Sequence, residues 1–316
     1  MTRTGAPRAA TRSENMRAAG IMSLAVAAFI ANDATMKMVA AGLPMIQALA
    51  VRNALVTVAF AGVAAGSGAL RQWRTLSEPL VWTRSVADTV ATLLYMLSLP
   101  HVALTIAVTL NMATPLMMLP LAALFLHERI SRPRALAVVA GFAGVLLVLR
   151  PGGHGLGGWA LLSAASAVLF AARDVMTRRV PARVPTPLLA VTMTATLTLV
   201  SLAWTTAQGW TPMSHTQWAA VGASSVFIAL GYYLAIVALR LGDVSLTSAF
   251  RYTAVPWSAA WGYALWGEVP EAAAIGGVAV ILGAGLYALY CERHEAPTQA
   301  RLDVSRPATP GGTAPP

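Results

Sequence analysis

Asp33, Arg52, Arg84, Asp88, Arg173, Asp174 and Arg251 all fall inside long apolar stretches of the sequence. In lipid each such side chain costs about 2.5–3.5 kcal/mol on insertion scales, so each needs a partner or a task. Asp33 with Lys37, and Asp174 with Arg178, are spaced i, i+4, which on a helix puts acid and base on one face. That spacing supports two readings. Either each acid is neutralised along its own helix, or the charges form a bridge that makes and breaks between states. Under the second reading Asp33, Asp174, Arg173 and Lys37 are candidates for ion coupling or gating. Arg84 and Asp88 are also i, i+4, and there the structural reading is preferred, with Arg84 snorkelling to the polar surface. Arg52 lies about eight residues, or roughly 12 Å of helix rise, inside its stretch. It is too deep to reach water easily, and is suited to attract an anionic ligand group or to pair with an acid.

Polar side chains are densest ahead of two prolines. Thr105, Thr109, Asn111 and Thr114 precede Pro115; Ser245, Thr247, Ser248, Arg251, Tyr252 and Thr253 precede Pro256. A proline inside a helix frees a carbonyl one turn back and bends the helix, which lipid tolerates where a cavity or a neighbour satisfies that group. Pro115 and Pro256 are therefore expected as helix kinks. Hydroxyls in such helices often bond only their own backbone, which leaves Asn111, Arg251, Tyr252 and Arg52 as candidate ligand-binding groups.

Catalytic patterns do not emerge. No Gly-x-x-x-x-Gly-Lys-Ser/Thr loop is present to cradle phosphates, Leu-His-Glu-Arg-Ile-Ser at 126–131 lacks the second His of a zinc protease helix, and there is no Gly-x-Ser-x-Gly elbow. Cys291 is the single cysteine, which excludes an internal disulfide or a cysteine metal cluster. The expectation is no catalytic residue, no metal and no cofactor, with coupling to a proton or another ion left open.

The elements that must position these residues follow from composition. Of 316 residues, 57% are hydrophobic and only 11% charged, against roughly 25% charged in an ordinary soluble domain. The apolar residues gather at 18–40, 44–66, 80–99, 102–126, 134–150, 158–178, 187–208, 217–238, 244–266 and 271–291. Each run is long enough to cross a hydrocarbon core about 30 Å thick. The first run could be a signal peptide, but an equivalent of it recurs mid-chain, where none can be.

That recurrence has an offset near 141 residues. Asp33 falls on Asp174, Lys37 on Arg178, Pro44 on Pro185, Asn111 on Tyr252, Pro115 on Pro256 and Gly144 on Gly285. Five helices per copy is an odd number, so the second copy enters the membrane in the opposite sense, the inverted-repeat plan. Arg52 falls on Met193, so its task is not symmetric. The net charge of +10 is distributed accordingly: with the N-terminus inside, sixteen arginines fall on the inner side and only Lys37 and Arg150 on the outer. Basic residues collect on the cytoplasmic side, so both termini are expected there. The arginines form no stripe with interleaved aromatics, which argues against a nucleic-acid partner.

The fold expected is thus an all-α membrane protein of ten transmembrane helices, arranged as two inverted five-helix repeats around a central cavity. It comprises a disordered cytoplasmic arm at 1–17, repeats at 18–150 and 151–291, and a disordered cytoplasmic tail at 292–316. Small residues on helices 5 and 10 (Gly141, Gly144, Gly283, Gly285) and the Gly62-x-x-x-Gly66 pair on helix 2 permit close helix contact, and the last of these permits a homodimer.

With these features the chain resembles the EamA-type transporters of the drug/metabolite transporter superfamily over about residues 18–291. The resemblance rests on the duplicated five-helix unit, the proline in helices 4 and 9, and Leu-His-Glu at 126–128 with Trp-Gly-Glu at 266–268, where family members often write Leu-Gly-Glu. His127 replaces the glycine in the first copy, and helix 1 lacks the family's Trp-Gly. The resemblance implies a basket-like bundle whose central cavity is lined by helices 1, 3, 4, 6, 8 and 9. It also implies export of metabolites, amino acids or toxic compounds by alternating access in a bacterial cytoplasmic membrane, with lipid and a small solute as partners. A non-transporting scaffold or receptor with the same fold is the alternative.

Overall fold

The computed structural model describes residues 11–126, 131–149, 157–181, 183–241 and 249–304. Among them the chain is helical: α1 (Arg12–Val39), α2 (Met45–Gly66), a 3-10 segment (Ala69–Ser77), α3 (Pro79–Ser98), α4 (Leu104–Asn111), α5 (Thr114–Leu126), α6 (Arg132–Leu149), α7 (Gly157–Arg179), α8 (Thr186–Gln208), α9 (His215–Leu241), a 3-10 turn (Phe250–Thr253), α10 (Ala254–Trp266) and α11 (Ala272–Val304). Glu128, Arg150, Ser245, Thr247 and Ser248, and the side chain of Arg178, lie outside the described residues.

Local signals set the ends. α1 begins six residues ahead of its apolar run because Thr11 and Glu14 form a capping box: Thr11 Oγ1 accepts from the Glu14 N–H at 3.2 Å and Glu14 Oε2 accepts from the Thr11 N–H at 2.7 Å. Pro79 opens α3 and Pro187 falls in the first turn of α8, where a missing N–H costs nothing. At the other end, α11 runs on to Val304, past the apolar run.

Among the described residues eight spans are long and apolar enough to cross a membrane: α1, α2, α4 taken together with α5, α6, α7, α8, α9 and α11. α3 is not among them, for a reason visible in its packing. Ser85, Asp88 and Thr89 are buried while Trp82, Val86 and Val90 are exposed, so its polar face points into the bundle. The same inversion runs through the molecule: Asn32, Arg52, Ser163, Ser166 and Ser224 are inside, and Leu136, Val139, Phe142 and Leu146 of α6 are outside. In water such an apolar exterior would aggregate; against lipid it is the stable arrangement.

The helices pair across the two halves: α1 with α9, α3 with α7, α2 with α8, α6 with α11 and α4 with α10. α2 starts at Met45 and α8 at Thr186, an offset of 186 − 45 = 141 residues. Exchanging the halves turns the α1–α9 pair into α7–α3, and carries the α2–α8 and α6–α11 pairs onto themselves. Thr57 and Thr198, also 141 apart, meet through their hydroxyls at 3.2 Å.

α6 and α11 approach closely at Gly144 and Gly277, where a Cβ on Gly277 would stand 2.6 Å from Val148 Cγ2 and 2.8 Å from the Gly144 carbonyl oxygen. Gly277→Ala is expected to cost about 1–3 kcal/mol by overpacking, read as a lower melting temperature in detergent; an unchanged melt would mean that the two helices part freely. Gly62, Gly66 and Gly283 face open space, so the packing role expected of Gly283 falls to Gly277.

Candidate functional site

Lys37, in the last turn of α1, is only 8% exposed. Its Nζ donates to Glu268 Oε1 at 2.5 Å and to the Val102 carbonyl at 2.7 Å. Glu268 Oε2 in turn accepts the Leu104 N–H at 2.8 Å, one of the donors that the first turn of α4 leaves free. Two glycines put Glu268 there. Gly267 adopts φ +64, which turns the chain so that the Glu268 N–H returns to the Gly262 carbonyl at 3.1 Å. Gly262 has no side chain, and a Cβ there would lie 2.8 Å from Glu268 Oε2. The Trp266 ring sits 4.8 Å from Lys37 Nζ, within cation–π range. Lys37, Val102, Trp266 and Glu268, with Pro100 and His101, line an open cavity of about 480 Å³. Lys37 thus bonds across the halves instead of to Asp33, and the i, i+4 neutralisation that its spacing allowed does not form.

Asp33 belongs to a second cluster, centred on Asn32. Tyr95 of α3 donates its hydroxyl to Asp33 Oδ2 at 2.8 Å, and the Asn32 amide donates to Asp33 Oδ1 at 2.9 Å. The Asn32 oxygen accepts from Ser224 of α9 at 2.7 Å and from Arg52 of α2 at 3.3 Å. Arg52 is 1% exposed and also approaches Met96 Sδ at 3.9 Å. One amide therefore joins a buried guanidinium to a half-buried carboxylate and ties together α1, α2, α3 and α9.

A third cluster lies between α3 and α7. Arg173 NH1 donates to Asp88 at 2.5 Å, while its Nε and NH2 reach Asp174 at 3.0 and 2.8 Å. Arg84 Nε donates to Thr177 Oγ1 at 2.6 Å. Asp88 thus takes its partner from α7, where the sequence suggested Arg84. Asp88 also borders a void of about 30 Å³ with Asn53, Thr92, Thr194 and Tyr232.

The proline-bearing segments are interrupted in both halves. α4 ends at Asn111 and α5 starts at Thr114, with Pro115 in its first turn; the 3-10 turn Phe250–Thr253 leads into α10, with Pro256 third. Thr114 Oγ1 donates to the Asn111 carbonyl at 2.7 Å and lies 3.3 Å from Asn111 Oδ1. Tyr252 is buried against Gly285, and among the described residues its hydroxyl has no hydrogen-bond partner. Arg251 is exposed. Of the four ligand candidates, Arg52 is thus committed to the Asn32 cluster, Tyr252 packs against Gly285 and Arg251 is exposed.

Asn32, Tyr95, Ser224 and Glu268 went unselected in the sequence reading. The signal for Asn32 was present, since a buried amide beside Asp33 needs partners, whereas Tyr95 and Ser224 look like any polar residue at a helix face. Among the described residues no three His, Cys, Asp or Glu side chains gather as a metal site requires.

The EamA-like transporter family matches residues 17–150 and again 157–290. A pseudopaline exporter of Pseudomonas aeruginosa is 27% identical over 206 residues, covering 65% of this chain and 72% of its own. A riboflavin transporter of Brucella anthropi is 27% identical over 195 residues, 60% of this chain and 69% of its own. An S-adenosylmethionine uptake transporter of Rickettsia bellii is 24% identical over 189 residues, 60% of this chain and 65% of its own. A protein of known crystal structure, 20% identical, superimposes with a TM-score of 0.59 over 90% of this chain and 99% of its own; that likeness concerns the fold alone.

Proposed function

The chain belongs to the EamA-like transporter family, whose domain it carries twice, and from that premise we propose that it is a ten-helix carrier exporting a small polar solute by alternating access. Membership makes it a multi-pass membrane transporter of small molecules and not an enzyme. The observation that carries the finer reading is the Lys37–Glu268 bridge, which ties the first repeat to the second at one end of the bundle. The arginine bias supports an orientation with both termini in the cytoplasm of a bacterium, which puts this bridge on the outer side and makes the present conformation closed outward. Opening then requires the bridge to break and α1 to move from α10, as halves do in inverted-repeat carriers.

The solute passes between the interrupted helices. Asn111 and the free hydroxyl of Tyr252 hydrogen-bond it, and Arg251 offers charge. Asp33, held by Tyr95 and Asn32, and Asp174, held by Arg173, carry the coupling proton or follow the state change. The metabolites after which the similar proteins are named, pseudopaline, riboflavin and S-adenosylmethionine, support a metabolite as the cargo. The open Gly62/Gly66 face of α2 suits a second copy of the chain.

The test is efflux from proteoliposomes of labelled organic anions, cations and dipolar ions under an imposed pH gradient. One class is expected to leave faster than from empty vesicles. Asn111→Ala and Asp33→Asn should each lower that rate about tenfold or more, the equivalent of one lost bond to a charged or bound group. If no class moves although the protein melts cooperatively, the carrier reading fails and a receptor or scaffold of this fold takes its place. If Asp33→Asn and Asp174→Asn both leave the rate and its pH dependence intact, the ionic role is gone.

A further inference from the structure

The bridge between Lys37 and Glu268 is not a bare ion pair. Its cationic member lies beside a backbone acceptor, the Val102 carbonyl at 2.7 Å, and its anionic member beside a backbone donor, the Leu104 N–H at 2.8 Å. Four groups thus meet in two matched sets, donors at Lys37 Nζ and the Leu104 N–H and acceptors at Glu268 and the Val102 carbonyl, and Lys37, Glu268 and Val102 line the cavity. In the closed state the two sets satisfy one another. A molecule that presents an anionic oxygen group a few ångströms from an ammonium can satisfy both sets separately, its anion on the donors and its cation on the acceptors. An ion of one sign can satisfy only one, and leaves the charge of the other sign with its backbone partner and water but without an ionic partner.

We propose that Lys37, Glu268 and the flanking Val102 and Leu104 backbone groups form an exit subsite for a small dipolar solute, which unlocks the bridge by replacing each member's partner. The inference rests on the carrier reading above and adds to it the charge type the outer end selects. The cavity of about 480 Å³ beside the bridge lies in the range of about 300–1,000 Å³ usual for small-ligand sites. Trp266, at 4.8 Å from Lys37 Nζ, offers the incoming ammonium a ring face while the bridge exchanges. Gly262 and Gly267 are positioning residues, because they bring the Glu268 carboxylate to the first turn of α4.

The experiment titrates the purified full-length protein in detergent with three matched sets built on alanine, leucine and phenylalanine. Each set contains the dipolar amino acid, its methyl ester without the carboxylate, and the corresponding acid without the amine. Binding is read by calorimetry and by protection of an Ala41→Cys thiol, placed on the cavity wall, from a membrane-impermeant maleimide. In at least one set the dipolar member is expected to bind about tenfold or more tightly than both relatives, the loss expected when one charged partner goes unmatched. Lys37→Gln should abolish the preference over the ester, and Glu268→Gln the preference over the amine-free acid. Should either variant fail to fold, Ala41→Cys protection alone locates the site with the bridge intact.

No preference in any set, or a preference that leaves Ala41→Cys unprotected and survives both variants, overturns the subsite. The titration does not depend on turnover. Dipolar solutes that bind and protect without being moved in vesicles keep the subsite and defeat the carrier reading, whereas efflux of a singly charged class with no dipolar preference does the reverse.

Discussion

Arg173→Met is expected to destabilise the protein by about 3–5 kcal/mol, the cost of breaking a buried ion pair from one side. The Asp88 carboxylate is 5% exposed and takes Arg173 NH1 at 2.5 Å, so the variant strands a charge between α3 and α7 with little access to water. Asp174 loses the same partner but is 36% exposed and recovers some hydration. Adding Asp88→Asn to the variant should restore most of the loss, because a buried pair replaced by uncharged groups of similar size is often close to neutral. Denaturant or thermal unfolding in one detergent measures both. A loss below about 1 kcal/mol in the single variant would place the Asp88 carboxylate in a far more hydrated setting than its burial implies. The result bears on mechanism, since a bridge this costly to break holds α3 and α7 together and is unsuited to opening in each transport cycle.

The Lys37–Glu268 bridge should behave differently. Lys37→Gln removes a charge-assisted bond of the kind that contributes about 1.5–3 kcal/mol, but Glu268 keeps the Leu104 N–H and the cavity supplies water. The fold should survive while the balance between closed and open shifts about 10- to 100-fold towards open. Thr105, 3% exposed and close to the space above Gly262, lies behind the bridge. In a Cys291→Ser background, a Thr105→Cys thiol should therefore be labelled by an impermeant reagent at a rate raised by the same factor. Equal labelling with and without Lys37 would show that the bridge holds nothing shut. The two predictions together separate a fastening from a latch, although both are short bridges between the halves.

The contrast between these pairs marks how far the sequence could be read. Asp88 and Asp174 were each legible as groups in need of a partner, because an apolar neighbourhood makes a lone charge conspicuous. Their common partner was not. Arg173 lies next to Asp174 but 85 residues from Asp88, and the i, i+4 spacing pointed to Arg84 instead. Arg52 was legible as too deep for water, but its commitment to Asn32 and through it to Asp33 was not, since that depends on α2 and α9 closing on α1. α3 shows the same limit in another form. Its polar residues weaken its hydropathy as a span, and only packing against α7 and α8 reveals that they face inward.

The membrane class, the duplication and its 141-residue register came from the sequence by itself, because hydropathy is a property of each stretch and a repeat is a comparison of stretches. Neither depends on how helices meet. Which acid bonds which base was decided only by tertiary structure. Lys37 had Asp33 one turn away on its own helix and bonds Glu268, 231 residues along the chain. There a left-handed glycine, a missing Cβ at Gly262 and the free N–H of α4 converge to hold the carboxylate in place. Spacing along a helix lists the partners within reach; the hydrogen bonds that burial demands for every polar group choose among all the partners that the fold brings near.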